Sequence, residues 1–162
     1  MATLPAYDAI WNVYPDYVNY PDPQDVKDMI GGAVNADWIT NTCAIRMSRA
    51  LNYIGVSVPV HFKGMSTVKG GDGKRYAFRV REMRKWLDVT LSKADFDVNK
   101  IAGSAFDKAS IASLQGIIVF DIAFADATGH MDLWDGSTIT SELHMSRNYY
   151  DAATRIVVWK SG

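Results

Sequence analysis

A single cysteine, Cys43, stands in a chain of 162 residues, which excludes an internal disulfide, a disulfide scaffold and a thiolate zinc site, and says nothing of a redox compartment. Charge of either sign is not in excess: 17 Lys and Arg face 18 Asp and Glu, for a net charge of −1, so there is no electrostatic case for nucleic acid or for a membrane surface. No apolar run approaches the roughly 18 residues that cross a bilayer. The N-terminal Met1-Ala2-Thr3-Leu4-Pro5 lacks the basic-then-apolar order of a signal peptide. The expectation is a chain made in the cytoplasm that stays soluble and is carried elsewhere only by another machine. Repeats, low-complexity segments and long linkers are missing too, which predicts one domain over residues 1–162.

What is present fits a mixed protein. Hydrophobic residues make up 48% and charged residues 22%, with 12 glycines, enough to bury a sizeable core in a loop-rich α/β chain. Ile10, Trp11 and Tyr14 share a helical spacing before Pro15 stops it. Asp22 and Pro23 form a helix start, with Val26, Met29 and Ile30 as a stripe and Gly31-Gly32 as the stop. These two segments read as packing elements. A third helix is expected over residues 42–54, where Ala44, Met47, Leu51 and Ile54 face one way and Gly55 ends the run. Residues 69–74, Lys-Gly-Gly-Asp-Gly-Lys, make a turn too irregular for a phosphate-binding loop. Residues 76–87 are predicted helical on Val80, Met83 and Leu87, with Arg79, Arg81, Arg84 and Lys85 as a solvated basic face.

The second half reads as sheet. Residues 116–120 form a buried strand whose alternation continues to Phe124, a turn follows at Asp126-Ala127-Thr128-Gly129, and residues 130–134 and 155–159 supply two more strands. Helices first and strands afterwards make the fold class α+β, with N-terminal helices packed on a mostly antiparallel sheet.

Two residues in this pattern carry chemistry. Cys43 falls in the first turn of the third helix, where unpaired backbone N–H groups and the helix dipole favour a thiolate. On the 130–134 strand, Met131 and Leu133 point to one face and His130, Asp132 and Trp134 to the other. If the first face is core, the second offers an imidazole, a carboxylate and an indole to a cleft. A thiol on a helix terminus with a later histidine on a strand packed against it is the papain-like order of nucleophile and base. The chemistry it supports is acyl transfer, most simply amide hydrolysis, with helix-start N–H groups on the oxyanion. His61 and His144 read as structural. A metal reading of His130 and Asp132 lacks a third ligand, and no cofactor is called for.

The blocks Asn41-Thr42-Cys43-Ala44-Ile45-Arg46-Met47-Ser48, Ala50-Leu51-Asn52 with Gly55, Tyr76-Ala77-Phe78-Arg79-Val80, Gly116-Ile117-Ile118-Val119 and Gly129-His130-Met131-Asp132-Leu133-Trp134-Asp135-Gly136 resemble the family 4 amidase effectors of type VI secretion, with Ile30-Gly31-Gly32 fitting upstream. The resemblance runs in order over residues 7–160. It implies a papain-like, NlpC-type cysteine peptidase fold and hydrolysis of the bond between the γ-carboxyl of D-glutamate and meso-diaminopimelate in peptidoglycan stem peptides. It further implies injection by the type VI apparatus into a competitor's periplasm, and a cognate periplasmic immunity protein that blocks the cleft.

Carried over by position, Cys43 is the nucleophile and His130 the base. Members of that family place an aspartate in a loop beyond the histidine, between two cysteines. Here the position is Ser141, with Ile139 and Leu143 in place of the cysteines. Three groups are therefore candidates to orient His130: Asp132, preferred, although same-face neighbours on a strand stand about 7 Å apart and must lean together; Glu142, one residue along; and Ser141, a weaker neutral partner. Arg46, one turn beyond the nucleophile, is a candidate for substrate carboxylates or a brace for the helix. Trp134 is a candidate cleft wall. Asn41 sets the loop entering the helix, or the oxyanion site. Two other readings remain open on the sequence: a papain-like scaffold that binds without catalysis, and a hydrolase remodelling the producer's own wall.

Overall fold

The computed structural model describes residues 1–123 and 129–162. Its helices are α1 (Tyr7–Trp11), α2 (Pro23–Ile30), α3 (Cys43–Tyr53), α4 (Val80–Thr90) and the short α5 (Tyr149–Ala152). A hairpin joins β1 (Thr67–Lys69) to β2 (Arg75–Ala77). Strands β3 (Phe96–Asn99), β4 (Gly116–Asp121), β5 (Gly129–Trp134) and β6 (Arg155–Lys160) build one antiparallel sheet in the order β3-β6-β4-β5. The class is α+β, as the periodicities predict.

The helix signals act as expected at α2 and α3. Asp25 Oδ2 accepts the Asp22 N–H at 3.0 Å, and Pro23 takes the first helical position, where its missing N–H costs nothing. Helix α3 ends in a Schellman turn: Gly55 adopts φ 92° and the Val56 N–H bonds the Leu51 carbonyl at 2.9 Å, a backbone twist that glycine alone takes cheaply.

Several expectations are corrected. Helix α1 stops at Trp11, short of Tyr14. Residues 76 and 77 belong to strand β2, and α4 starts only at Val80. Tertiary contacts override the helical spacing there: Tyr76 is fully buried among Val26, Ile30, Val34 and Ile45, its hydroxyl donates to Asp72 Oδ2 at 2.6 Å, and the Ala77 N–H donates to Ser48 Oγ. Nor is Arg84 part of a solvated face. It is buried and pairs with Asp88 on its own helix and with Asp121 at the end of β4. Strand β4 ends at Asp121, so Ile122 and Ala123 do not continue it as expected; Phe124 and the turn at residues 126–128 lie outside the described residues.

Both faces of the sheet are covered. Ile117, Val119, Met131, Leu133, Val157 and Trp159 pack under α3 and α4 against Ala44, Met47, Leu51, Met83 and Leu87. Ile118, Phe120, Trp134, Ile156 and Val158 form a second core with Ile111, Ile139, Tyr150 and Ala153. Each fully buried aliphatic side chain contributes about 1.5–3 kcal/mol, so neither face can be opened cheaply. The register pairs Phe120 with His130 and Ile118 with Asp132. His130 and Asp132 therefore stand on the second face, at the end of the sheet where α3 crosses β5.

Candidate active site

Cys43 is the first residue of α3. Its N–H donates to Asn41 Oδ1 at 2.9 Å, which ties the loop before α3 to the helix start. The Cys43 Sγ lies 2.8 Å from His130 Nδ1. On the far side of the ring, Nε2 lies 2.9 Å from Asp132 Oδ2. Gly129 lets the strand bring His130 there, because a Cβ at that position would stand 2.3 Å from the Phe120 carbonyl oxygen.

Asp132 leans along the strand and is fully buried. Its buried charge is met by protein donors: the Leu133 and Ser141 N–H groups at 2.8 and 3.1 Å, Ser141 Oγ at 2.6 Å and Tyr14 Oη at 3.2 Å, with the Thr140 hydroxyl and N–H also directed at it. Ser141 Oγ is 3.0 Å from His130 Nε2 as well, so Asp132 and Ser141 share the ring nitrogen. Glu142 turns away, to Lys108, Tyr150 and the Ile139 N–H.

The electrostatics follow. Burial raises the Cys43 thiol, but the charge and hydrogen bond of His130 and the Tyr17 hydroxyl outweigh it and bring its pKa below the ordinary value. Burial lowers His130, yet the Cys43 charge and the bond to Asp132 push it up to about 10. Burial likewise raises Asp132, and the bond and charge of His130 with the Ser141 and Thr140 hydroxyls hold it below the usual carboxylate value. All three shifts favour the same charge state, a thiolate, an imidazolium and a carboxylate in line, from which a cysteine nucleophile attacks.

Two expectations fail on burial. Trp134 is no cleft wall: it is fully buried in the second core, and its indole N–H donates to the Ile111 carbonyl at 2.9 Å. The face opposite Met131 and Leu133 is a core as well. Arg46 has no exposed surface and acts as the brace: Nη1 donates to the Pro15 and Asp16 carbonyls at 2.9 and 3.1 Å, and Nε to Thr42 Oγ1 at 3.1 Å. No His, Cys, Asp or Glu cluster among the described residues is placed to hold a metal ion.

A family model described as type VI secretion system (T6SS), amidase effector protein 4, matches residues 39–159. The chain belongs to this amidase effector family. Similar solved structures agree with the fold. The Tae4–Tai4 effector–immunity complex from Enterobacter cloacae is 36% identical, with 98% of this chain and 99% of that one covered and a TM-score of 0.82. The Tae4/Tai4 system from Salmonella typhimurium is 27% identical, over 98% and 99% of the two chains, with a TM-score of 0.83. Free Tae4 from Enterobacter cloacae is 36% identical over 99% and 100%, with a TM-score of 0.79. No curated protein sequence matches the chain. The fold is thus the papain-like, NlpC-type one of the amidase effectors.

In this amidase effector the site also draws on Tyr14, expected only to pack, and on Tyr17 and Tyr149, which no sequence pattern singles out. Tyr17 Oη lies 3.6 Å from Cys43 Sγ, Tyr14 reaches Asp132 across 118 residues of sequence, and the Tyr149 ring stands 4.6 Å from the imidazole. The local pattern holds no signal for these contacts. The only hint is that Tyr14 and Tyr17 flank Pro15-Asp16, where the chain turns.

Proposed function

We propose that this amidase effector hydrolyses the amide bond between the γ-carboxyl of D-glutamate and meso-diaminopimelate in peptidoglycan stem peptides, with Cys43 as nucleophile, His130 as proton carrier and Asp132 as the group that orients the imidazole. One observation carries the reading: the unbroken line from Cys43 Sγ to His130 Nδ1 at 2.8 Å and from His130 Nε2 to Asp132 Oδ2 at 2.9 Å.

The thiolate adds to the amide carbonyl carbon, and the carbonyl π pair moves onto oxygen. When the tetrahedral adduct collapses, the C–N bond breaks and His130 Nδ1 gives its proton to the departing diaminopimelate amine. A water then loses a proton to His130 and adds to the thioester. Collapse releases the γ-carboxyl product and restores the thiolate. Asp132 holds the ring in one tautomer and one orientation throughout, as the acid of a triad does.

Residues 1–162 act as one amidase domain. The substrate lies outside the inner membrane, so the effector works in the periplasm of a target cell after delivery by the type VI apparatus. The relatives from Enterobacter cloacae and Salmonella typhimurium are seen with the immunity protein Tai4; a cognate immunity protein of the same kind covers this cleft in the producer's periplasm.

The test is mass spectrometry of purified muropeptides after digestion. Fragment masses should place the cut between glutamate and diaminopimelate, and Cys43→Ala and His130→Ala should each leave the substrate whole while still folding, as a cooperative thermal transition checks. Turnover by either variant, or a cut at another bond, overturns the assignment.

A further inference from the structure

We infer that the phenol of Tyr17 is a catalytic hydrogen-bond donor to the oxyanion of the tetrahedral adduct formed on Cys43. This rests on Cys43 as the nucleophile and adds a residue to that site.

The nucleophile's own N–H is the usual first donor for such an oxygen. Here it is engaged by Asn41 Oδ1 at 2.9 Å, and Asn41 presents its acceptor to the helix start. The two His130 N–H groups are committed as well, Nδ1 toward the sulfur and the leaving amine, Nε2 toward Asp132 and Ser141. Tyr17 Oη stands 3.6 Å from the sulfur, a side-chain hydroxyl directed at the nucleophile itself. The adduct's oxygen is borne by the carbon that bonds Sγ, so a hydroxyl touching Sγ in the resting enzyme stands within reach of it.

The placement is enforced. Asp16 Oδ1 accepts the Val18 and Asn19 N–H groups at 2.8 and 2.9 Å, and its Oδ2 accepts from Asn19 Nδ2 at 2.8 Å, which fixes the turn that carries Tyr17. Arg46, on the nucleophile's own helix, binds the Pro15 and Asp16 carbonyls and lays its guanidinium 3.8 Å from the centre of the Tyr17 ring. The same guanidinium keeps Nη2 buried without a hydrogen-bond partner among the described residues, a costly arrangement that the ring stacking offsets only in part. Burial and the charge of Cys43 push the phenol well above its ordinary value, so it is protonated at every pH where the thiolate works and donates to a neighbouring anion.

In the step itself Sγ forms a bond to the carbonyl carbon, the π pair moves to oxygen, and the Tyr17 O–H hydrogen-bonds that oxygen without giving up its proton. Collapse returns the pair to the C=O bond and frees the phenol.

Two reagents separate this role from simple support of the thiolate. Acylation of Cys43 by p-nitrophenyl acetate passes through an oxyanion; alkylation by iodoacetamide does not. Tyr17→Phe keeps the ring and its stacking on Arg46, and thermal melting by circular dichroism checks that it folds as the parent does. With Cys43→Ala as the blank, acylation by Tyr17→Phe should fall about 10²- to 10³-fold, far more than alkylation, which loses only the phenol's share in holding the thiolate, and muropeptide kcat should fall with acylation at constant KM. Undiminished acylation overturns the inference. So does an equal loss in both reactions, which would assign Tyr17 to the thiol. Muropeptide cleavage by Cys43→Ala is the separate outcome that overturns the nucleophile instead.

Discussion

Ser141 donates its hydroxyl to Asp132 Oδ2 at 2.6 Å, and the same oxygen lies 3.0 Å from His130 Nε2. The carboxylate on the strand and the hydroxyl on the loop thus occupy one site around the ring, with the charge on Asp132.

Asp132→Asn should lower kcat about 10²- to 10⁴-fold, the range expected when the acid of a triad no longer fixes the imidazole. Ser141→Ala removes one donor to a carboxylate that has several others, and about a tenfold loss is expected. Because the two positions meet at one nitrogen, the exchange Asp132→Ser with Ser141→Asp should recover activity lost in Asp132→Ser alone. Steady-state muropeptide kinetics on the variants checks the order; a fully active Asp132→Asn would remove Asp132 from the mechanism.

The ion pair sets the pH profile. Cys43 is depressed below its ordinary value and His130 raised to about 10, so kcat/KM should rise with an acid limb below the ordinary thiol range and fall near pH 10. Iodoacetamide alkylation followed against pH should show the same acid limb. A single rise centred on pH 8.5, the unperturbed thiol value, would contradict the pair.

Stability should follow the same groups. Asp132 is depressed in the fold, so its contribution is present above the unfolded carboxylate pKa and lost as pH falls through the folded one. His130 is raised, so its contribution is present below the ordinary imidazole value and lost as pH climbs through about 10. Melting temperature measured against pH should decline at both ends, and Asp132→Asn should blunt the acid-side decline.

Trp134 belongs to the core and not to the substrate. Trp134→Ala should cost about 3–5 kcal/mol in urea unfolding. Trp134→Phe should cost less and leave KM for muropeptides as it is. A raised KM in a stably folded Trp134→Phe would return the indole to the cleft.

Arg46 should behave as a brace. Arg46→Ala strands the Pro15 and Asp16 carbonyls and is expected to destabilise by about 3 kcal/mol, near the cost of losing hydrogen bonds to a buried charge. Lysine should rescue only part of this, since it lacks the planar fork and the ring contact. Urea midpoints of both variants decide the matter.

The sequence made the larger elements legible for a physical reason: α2, α3, β4 and β6 carry strong periodicity and clean ends. It lost the β1–β2 hairpin because Tyr76 is held by Asp72 and a local apolar cluster, not by alternation. At the site, Cys43 and His130 stood out because a helix start and a strand face are local facts. Alternation also placed Asp132 and Trp134 on the face of His130, but which of them met the ring depended on what covered that face, and the residues that cover it come from 111 and 139–153. Tyr14 and Tyr17 were invisible to periodicity because their partners lie across the whole chain.

Asp132 Oδ1 is shared by Tyr14 from the first turn of the protein and by Thr140 from its last quarter. The Tyr14 contact spans 118 residues, and contacts so distant in sequence should close late, after local helices and hairpins. Activity is therefore a clock for folding. In a refolding experiment, far-ultraviolet ellipticity should recover first and turnover only with the final phase, when residues 14–17 dock, and a proteolytic nick just before Pro23 that frees this arm should silence the enzyme while leaving its sheet in place.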